Sequence, residues 1–434
     1  MGFPRLTRRR FLIGSAATIG LAGGGYWASR RPVRIGLIGA GLRGKSLSAS
    51  LAQLYWLPGR HAEVAAICDV DRKHAEDVKK KDWPRADLYG DFRKVIERDD
   101  LRAVVIATPD HWHTLIAYHA LKAGKAVYCE KPMSLTVAEG QFLVKTVQET
   151  NGVFQAGTQQ RSDWRFRIAA ELVRHGRLGN MNQITVTLPQ RWKGESAGPF
   201  ATFAPPPELD WEQWQGQAPE TAYCPQRVHG TFRRFYEYSG GQMTDWGAHH
   251  VDIAQWALGE NAPRTVEGQA QFPHVTNGFN TPLDFTADLN YPSGARIHVQ
   301  TSPDENLNGI TFEGEKSTLF VSRNRIEGPA IKELDDRPLS SDTMNLHHTP
   351  GRKRWVLSYH LMQFFDCIFD GAKPISDVES HHRSTSACHL TNIAMRLGRK
   401  LTWDSEQEHF VGDTEADTYL TRAQREPYRI PGMG

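Results

Sequence analysis

Val33-Arg34-Ile35-Gly36-Leu37-Ile38-Gly39-Ala40-Gly41-Leu42-Arg43-Gly44 is an apolar run that ends in GxGxxG. Val33–Ile38 reads as a buried strand and Leu42–Leu54 as the helix it feeds. The three glycines at that junction serve different ends. Gly39 allows a tight turn, Gly41 close backbone approach to a pyrophosphate, and Gly44 helix-on-strand packing. The helix start adds free N–H groups and a partial positive charge for phosphates. GxGxxG alone is a weak signal. Here a second apolar strand, Glu63–Cys68, ends at Asp69, twenty-five residues beyond Gly44, where a carboxylate can bond the ribose hydroxyls of an adenosine. Asp69 would repel a 2′-phosphate and so favours NAD; Arg43 and Arg72 lie close enough in sequence to leave NADP open.

Outward from this stretch, strands and helices alternate. Asp91–Glu97 reads as a helix, Ala103–Ala107 as a strand, His113–Ala123 as a helix and Ala126–Cys129 as a strand. Such alternation predicts a Rossmann-type parallel sheet covered on both faces. Past about residue 160 the pattern changes. A helix over Arg165–His175 and a strand over Asn182–Pro189 precede a Trp- and Pro-rich stretch, Arg191–Tyr223, and a helix over Gln242–Leu258. Then come strands Thr265–Phe272, Leu283–Tyr291, Ala295–Thr301, Gly309–Glu313 and Thr318–Val321, and helices Trp355–Phe369 and Ser380–Leu397. The expected fold is α/β plus α+β: a Rossmann domain over 32–157 and a second domain over 158–434, built on an open, mainly antiparallel sheet.

The remaining composition bounds the function. At 434 residues the chain is too long for one core and suits two domains. Residues 1–31 hold six arginines and no acid, and the rest carries 46 Lys and Arg against 49 Asp and Glu, so nothing electrostatic supports a nucleic-acid partner. Five scattered cysteines without CxxC spacing predict neither a disulfide framework nor a metal site. Thr7-Arg8-Arg9-Arg10-Phe11-Leu12 resembles the twin-arginine export signal, and the mildly apolar Ile13–Trp27 that follows is too short for a stable span. The expected address of the protein is therefore the periplasm or another location reached by the twin-arginine route. No clear small-x-small cleavage pair follows, which leaves retention as a membrane anchor open.

Three more motifs stand in order: Thr108-Pro109-Asp110-His111-Trp112-His113 after the fourth strand, Glu130-Lys131-Pro132 after the fifth, and Asp245-Trp246-Gly247-Ala248-His249-His250-Val251-Asp252 on a helix of the second domain. With GxGxxG they resemble the glucose–fructose oxidoreductase/inositol dehydrogenase (Gfo/Idh/MocA) family over residues 33 to about 400. The resemblance implies NAD(P) held by Gly39, Gly41, Leu42, Arg43, Gly44, Asp69, Arg72, Thr108, Pro109, His113, Glu130, Lys131 and Gln159. It implies a cis Lys131–Pro132 bond, Lys131 beside the nicotinamide, and Asp245 with His249 as the Asp-x-x-x-His pair, His249 being the proton acceptor.

The residues themselves support such chemistry. Asp245, His249 and Asp252 fall on one helical face, so a carboxylate one turn away is expected to orient the imidazole and hold its pKa near the working pH. Oxidation of a carbinol needs a proton to leave oxygen as hydride leaves carbon. Lys131 would stabilise the developing alkoxide, or, with a lowered pKa, serve as the base itself. Adjacent His249 and His250 point about 100° apart on a helix and do not suggest one metal ion.

Substrate contacts are expected from Lys131, Arg161, Lys193, Tyr223, His229, Arg233, Asp245 and His249, since sugars are bound by aromatic faces and forked polar groups. The alternative is that the aromatics only pack the irregular stretch. The leading functional expectation is hydride removal from a sugar, cyclitol or glycoside hydroxyl. Export favours a trapped cofactor, as in a redox-neutral glycoside lyase or hydrolase, or in sugar–sugar oxidoreduction. A non-catalytic dinucleotide-binding protein is the third possibility. A homo-dimer or homo-tetramer is expected through an apolar face of the open sheet.

Overall fold

The computed structural model describes residues 32–56, 62–190, 194–339 and 356–433; the basic segment 1–31 and Lys193 lie outside them. Six parallel strands in the order β3-β2-β1-β4-β5-β6 form the first sheet: β1 (Val33–Ile38), β2 (Ala62–Cys68), β3 (Asp87–Tyr89), β4 (Ala103–Ile106), β5 (Ala126–Cys129) and β6 (Phe154–Ala156). β1, β4 and β5 are buried almost throughout, because helices cover both faces of the sheet. The sequence reading does not find helices Arg72–Asp82 and Val137–Thr150. The first is too polar to show a strong apolar stripe; it starts because the Asp71 side chain caps its first N–H groups.

The second sheet holds nine strands in the order β13-β12-β11-β7-β10-β9-β8-β14-β15. Its centre is formed by β7 (Met181–Pro189), β8 (Thr265–Gln271), β9 (Asp284–Asn290), β10 (Arg296–Ser302), β11 (Gly309–Gly314) and β12 (Thr318–Val321). The short β13 (Ile326–Glu327), β14 (Leu401–Asp404) and β15 (His409–Phe410) lie at its edges. All named pairings are antiparallel except β7 with β10. One face, with Ile184, Val186, Leu289, Ile297, Val299, Ile310 and Phe312, packs into a core shared with helices Trp164–Arg174, Gly247–Leu258 and Val378–Leu397. The other face carries Gln183, Thr185, Asp288, His298, Gln300 and Thr311, partly exposed. The expectation of an apolar free face is corrected here: alternation along β7, β9 and β10 turns Ile184, Val186, Leu289, Ile297 and Val299 inward, and the other face is mainly polar, with half-buried Phe320 of β12 beside Thr311.

Later chain returns to the first sheet. Leu361, Phe364 and Phe365 of helix Val356–Asp370 pack with Val33, Ile35 and Leu37, while Tyr428 and Ile430 join the core around Trp112 and Leu115. Among the described residues no helix is long and apolar enough to cross a membrane.

Burial has filled this interior with neutral imidazoles. Desolvation first of all lowers the pKa of His111 and His250 to about 3 and of His360 and His389 to about 4. Their folded values lie below the unfolded one, so their stabilisation is complete above pH 6.5 and is lost as pH falls through the window down to 4 or 3. Raised pKa values of buried Asp69 and Asp110 oppose the trend. Stability is therefore expected to fall as pH falls below 6. Denaturant melts at pH 7, 6 and 5 check this, and equal stabilities at all three would contradict it.

Candidate active site

One cavity of about 980 Å³ brings the two motif sets together. On one side it is lined by Gly39, Gly41, Leu42, Arg43, Asp69, Thr108, Pro109, His113, Glu130 and Gln159, and on the other by Lys131, His229, Arg233, Asp245 and His249. Backbone conformation explains the glycines. Gly39 has φ +91°, and a Cβ there would lie 2.5 Å from the Ala107 carbonyl carbon. At Gly44 a Cβ would come 2.1 Å from the Gly39 carbonyl oxygen, which makes Gly44 a packing residue and not a lining one. Gly41 differs: the nearest atom to its Cβ position, His74 Nδ1, is 3.7 Å away, and the residue faces the cavity.

The open space over Gly41 meets the start of helix Leu42–Trp56, whose free N–H groups suit a pyrophosphate, and so forms a cradle for one. Gly41→Ala is therefore expected to fold like the parent and to weaken NAD binding about tenfold or more, because its methyl group fills that cradle. Fluorescence titration of NAD with both proteins measures it; equal affinities would remove Gly41 from the cofactor site.

Asp69 closes β2 as expected. Its carboxylate accepts from Ala40 N (2.6 Å) and Asp71 N (2.8 Å), which fixes it beside the glycine turn. Arg43 lies in the cavity in an ion pair with Glu130 (2.8 Å) and bonds Gln159. His113 Nδ1 and Nε2 lie at hydrogen-bond distance from the Pro132 and Thr108 carbonyls, so the imidazole ties two motif loops together. Arg72 goes elsewhere: it is exposed, pairs with Glu76 and does not line the cavity.

The Lys131–Pro132 bond is cis. Lys131 Nζ donates to the Asp245 carbonyl and to Asp245 Oδ1, both at 2.7 Å, and Arg233 Nε lies 3.3 Å from the same Oδ1. Asp245 and His249 do not share one regular helix: Gly241–Asp245 ends at Trp246 and Gly247–Leu258 starts beyond it. Asp245 is thus engaged by two cations, and the expectation that it holds the His249 pKa near the working pH is corrected. Burial above all, then the charges of Lys131 and Arg323, push that pKa well below its usual value. His249 is a neutral imidazole, the form with a lone pair for a proton.

Two expected substrate residues are structural. Arg161 forms a bidentate pair with Asp252 (2.6 and 2.8 Å) inside the protein, so neither reaches the cavity. Tyr223 packs with Trp211 and Phe235 in an aromatic cluster. Trp214 and Phe232 of that cluster also line the cavity, and both were missed as site residues. Asp110 lines it too, held by the Ser239 hydroxyl, and was legible in the Thr108–His113 motif. Arg323 had no local signal; it stacks over Trp246 at 4.5 Å. With its amide oriented to satisfy both ends, Gln160 links Arg323 Nε (3.1 Å) to the His249 carbonyl (2.8 Å).

Residues 33–158 match the oxidoreductase family NAD-binding Rossmann fold, and residues 170–430 match the oxidoreductase family C-terminal alpha/beta domain. The chain belongs to the Gfo/Idh/MocA oxidoreductase family. This member is 26% identical over 358 residues to an inositol 2-dehydrogenase of Burkholderia cenocepacia, covering 78% of this chain and 87% of the relative. It is 24% identical over 231 residues to levoglucosan dehydrogenase of Pseudarthrobacter phenanthrenivorans, a match that spans 52% of each. Among solved structures, the WlbA dehydrogenase of Bordetella pertussis, in complex with NADH and UDP-GlcNAcA, superposes with a TM-score of 0.64 at 20% identity, covering 86% of this chain and 99% of that one. This last likeness concerns the fold.

Proposed function

We propose that this family member oxidises a hydroxyl-bearing carbon of a sugar, cyclitol or glycoside with NAD. The observation that carries the reading is the single cavity lined by the GxGxxG–Asp69 set and by Lys131, Asp245 and His249. NAD, when bound, supplies a hydride acceptor whose ring loses its positive charge as the reaction proceeds. Asp245 anchors the Lys131 ammonium, which stabilises oxygen as its proton leaves. Neutral His249 takes that proton. Incubation of the purified protein with NAD and a panel of sugars and cyclitols, read by absorbance of reduced nicotinamide, tests the proposal. Reduction by at least one polyol is expected, and silence across the panel with NAD bound would overturn it.

A second reading, a redox-neutral cycle on retained NAD, is supported by a stretch of chain that joins the two sides of the cavity. The stretch from Glu208 to Arg233 crosses to the first sheet: Leu209 bridges Asp71, Asp210 N donates to the Val70 carbonyl (2.9 Å), and Trp112 Nε1 donates to the Trp214 carbonyl (3.0 Å). Arg425 pairs with Glu212 (2.6 Å) and Arg422 with Glu139 (3.2 Å), which ties the tail over the same seam. Cofactor that survives gel filtration and is reduced by one sugar and reoxidised by another would favour this cycle.

The same proposal includes the division into 32–157 and 158–434, twin-arginine export through Arg8–Leu12 with or without retention as an anchor, and a homo-dimer or homo-tetramer. A reporter fused behind residues 1–31 and light-scattering mass of the purified protein test the last two.

A further inference from the structure

Asp71, His74 and His229 meet at the edge of the cavity, at the end where Asp69 stands. One ligand atom from each lies within 4.8 Å of the others. The Asp71 carboxylate divides its work: Oδ1 caps helix Arg72–Asp82 by accepting from Lys73 N (3.0 Å) and His74 N (3.3 Å), while Oδ2 faces two imidazoles. His74 Nε2 and His229 Nε2 are each 3.9 Å from that oxygen. The rings meet edge to face, with centroids 4.7 Å apart. The other nitrogen of His74, Nδ1, looks toward Asp69 Oδ2 at 3.8 Å, the kind of outer carboxylate that orients a ligating histidine.

We propose that these three side chains bind a divalent transition-metal ion of the zinc class. Two imidazoles and one carboxylate, with water as fourth ligand, are a borderline-soft set suited to zinc rather than magnesium or calcium. Ligands around one tetrahedral zinc lie about 3.3 Å apart, given metal–ligand lengths of about 2.0–2.1 Å. The 3.9 Å separations must shorten by about 0.6 Å, and the remaining one, within 4.8 Å, by up to about 1.5 Å. His229 is 45% exposed and has that freedom.

The placement gives the ion a consequence. Asp71 and His74 belong to the first sheet's periphery, whereas His229 comes from the stretch that crosses the cavity. A bound cation would bolt that crossing stretch down beside Asp69. This second part rests on the proposed NAD site; metal binding itself does not.

Tag-free protein stripped with a chelator and titrated with zinc chloride by calorimetry tests the proposal. One zinc per chain with micromolar or tighter affinity is expected, and magnesium should give no heat. His229→Asn keeps the left-handed backbone (φ 58°), which asparagine tolerates, and should weaken zinc binding at least thirtyfold. His74→Gln should do the same. Parent protein that binds no stoichiometric zinc, or both variants binding like the parent, would overturn the site. NAD release followed by stopped-flow should slow severalfold with zinc in the parent and not in His229→Asn. An unchanged release rate with zinc bound would overturn the clasp and leave the metal site standing.

Discussion

Replacing His249 with Asn should lower turnover by about a thousandfold or more while leaving NAD affinity within about twofold. The imidazole is a neutral group on the cavity wall, and asparagine offers no comparable proton acceptor. Lys131→Met should cost about a hundredfold to a thousandfold, the range found when one donor to a developing oxyanion is removed. If both residues act on the same oxygen and proton, as proposed, the double variant should lose less than the product of the single losses. Stopped-flow reduction of NAD and a separate binding titration keep chemistry and binding apart. Turnover within a few fold of the parent in His249→Asn would refute the assignment. The sign of the pH dependence follows from the same burial. His249 loses its lone pair only when pH falls through its depressed pKa, so the acid limb of kcat/KM assigned to it should lie well below pH 6.5.

The largest loss of stability is expected from Asp252→Ala. Asp252 is fully buried, and burial alone would raise its pKa. Arg161 and His381 outweigh that and hold the carboxyl well below its usual range. Ser384 also donates to it, at 2.7 Å. Deleting the carboxylate strands the Arg161 guanidinium, 3% exposed, with the Ser380 hydroxyl and the Ile375 carbonyl as remaining partners. Breaking one side of such a buried pair costs about 3–5 kcal/mol. The double variant Arg161→Met/Asp252→Leu should recover most of it, since a well-packed apolar pair carries no desolvation penalty. Chemical denaturation of the three proteins reads the difference. A loss below about 1 kcal/mol in Asp252→Ala would show that the pair does not anchor the fold.

His249 and Asp252 stand three positions apart on helix Gly247–Leu258, and the sequence treats them alike. Asp245, His249 and Asp252 repeat at helical spacing, so all three read as one face. The irregular turn at Trp246 and the arrival of Arg161 separate them: Asp245 and His249 line the cavity, and Asp252 faces the interior. The sequence offers Arg161 as a substrate ligand because its guanidinium is a forked polar group. Nothing local tells a buried arginine from a reaching one.

What the sequence determined by itself was local and periodic. Alternating strands and helices implied the parallel sheet, GxGxxG and Asp69 marked the cofactor turn, and the period-two runs of β7 to β12 marked the second sheet. Backbone sterics, capping and hydrophobic period act over a few residues and leave their mark in a few residues. Tertiary structure alone decided that Asp245 turns to Lys131 and Arg233, that the free sheet face is polar, that Glu208–Arg233 crosses to the first sheet, and that Asp71, His74 and His229 converge. Most of those contacts join residues more than a hundred positions apart. They depend on how whole layers pack, where burial and charge pairing are settled together.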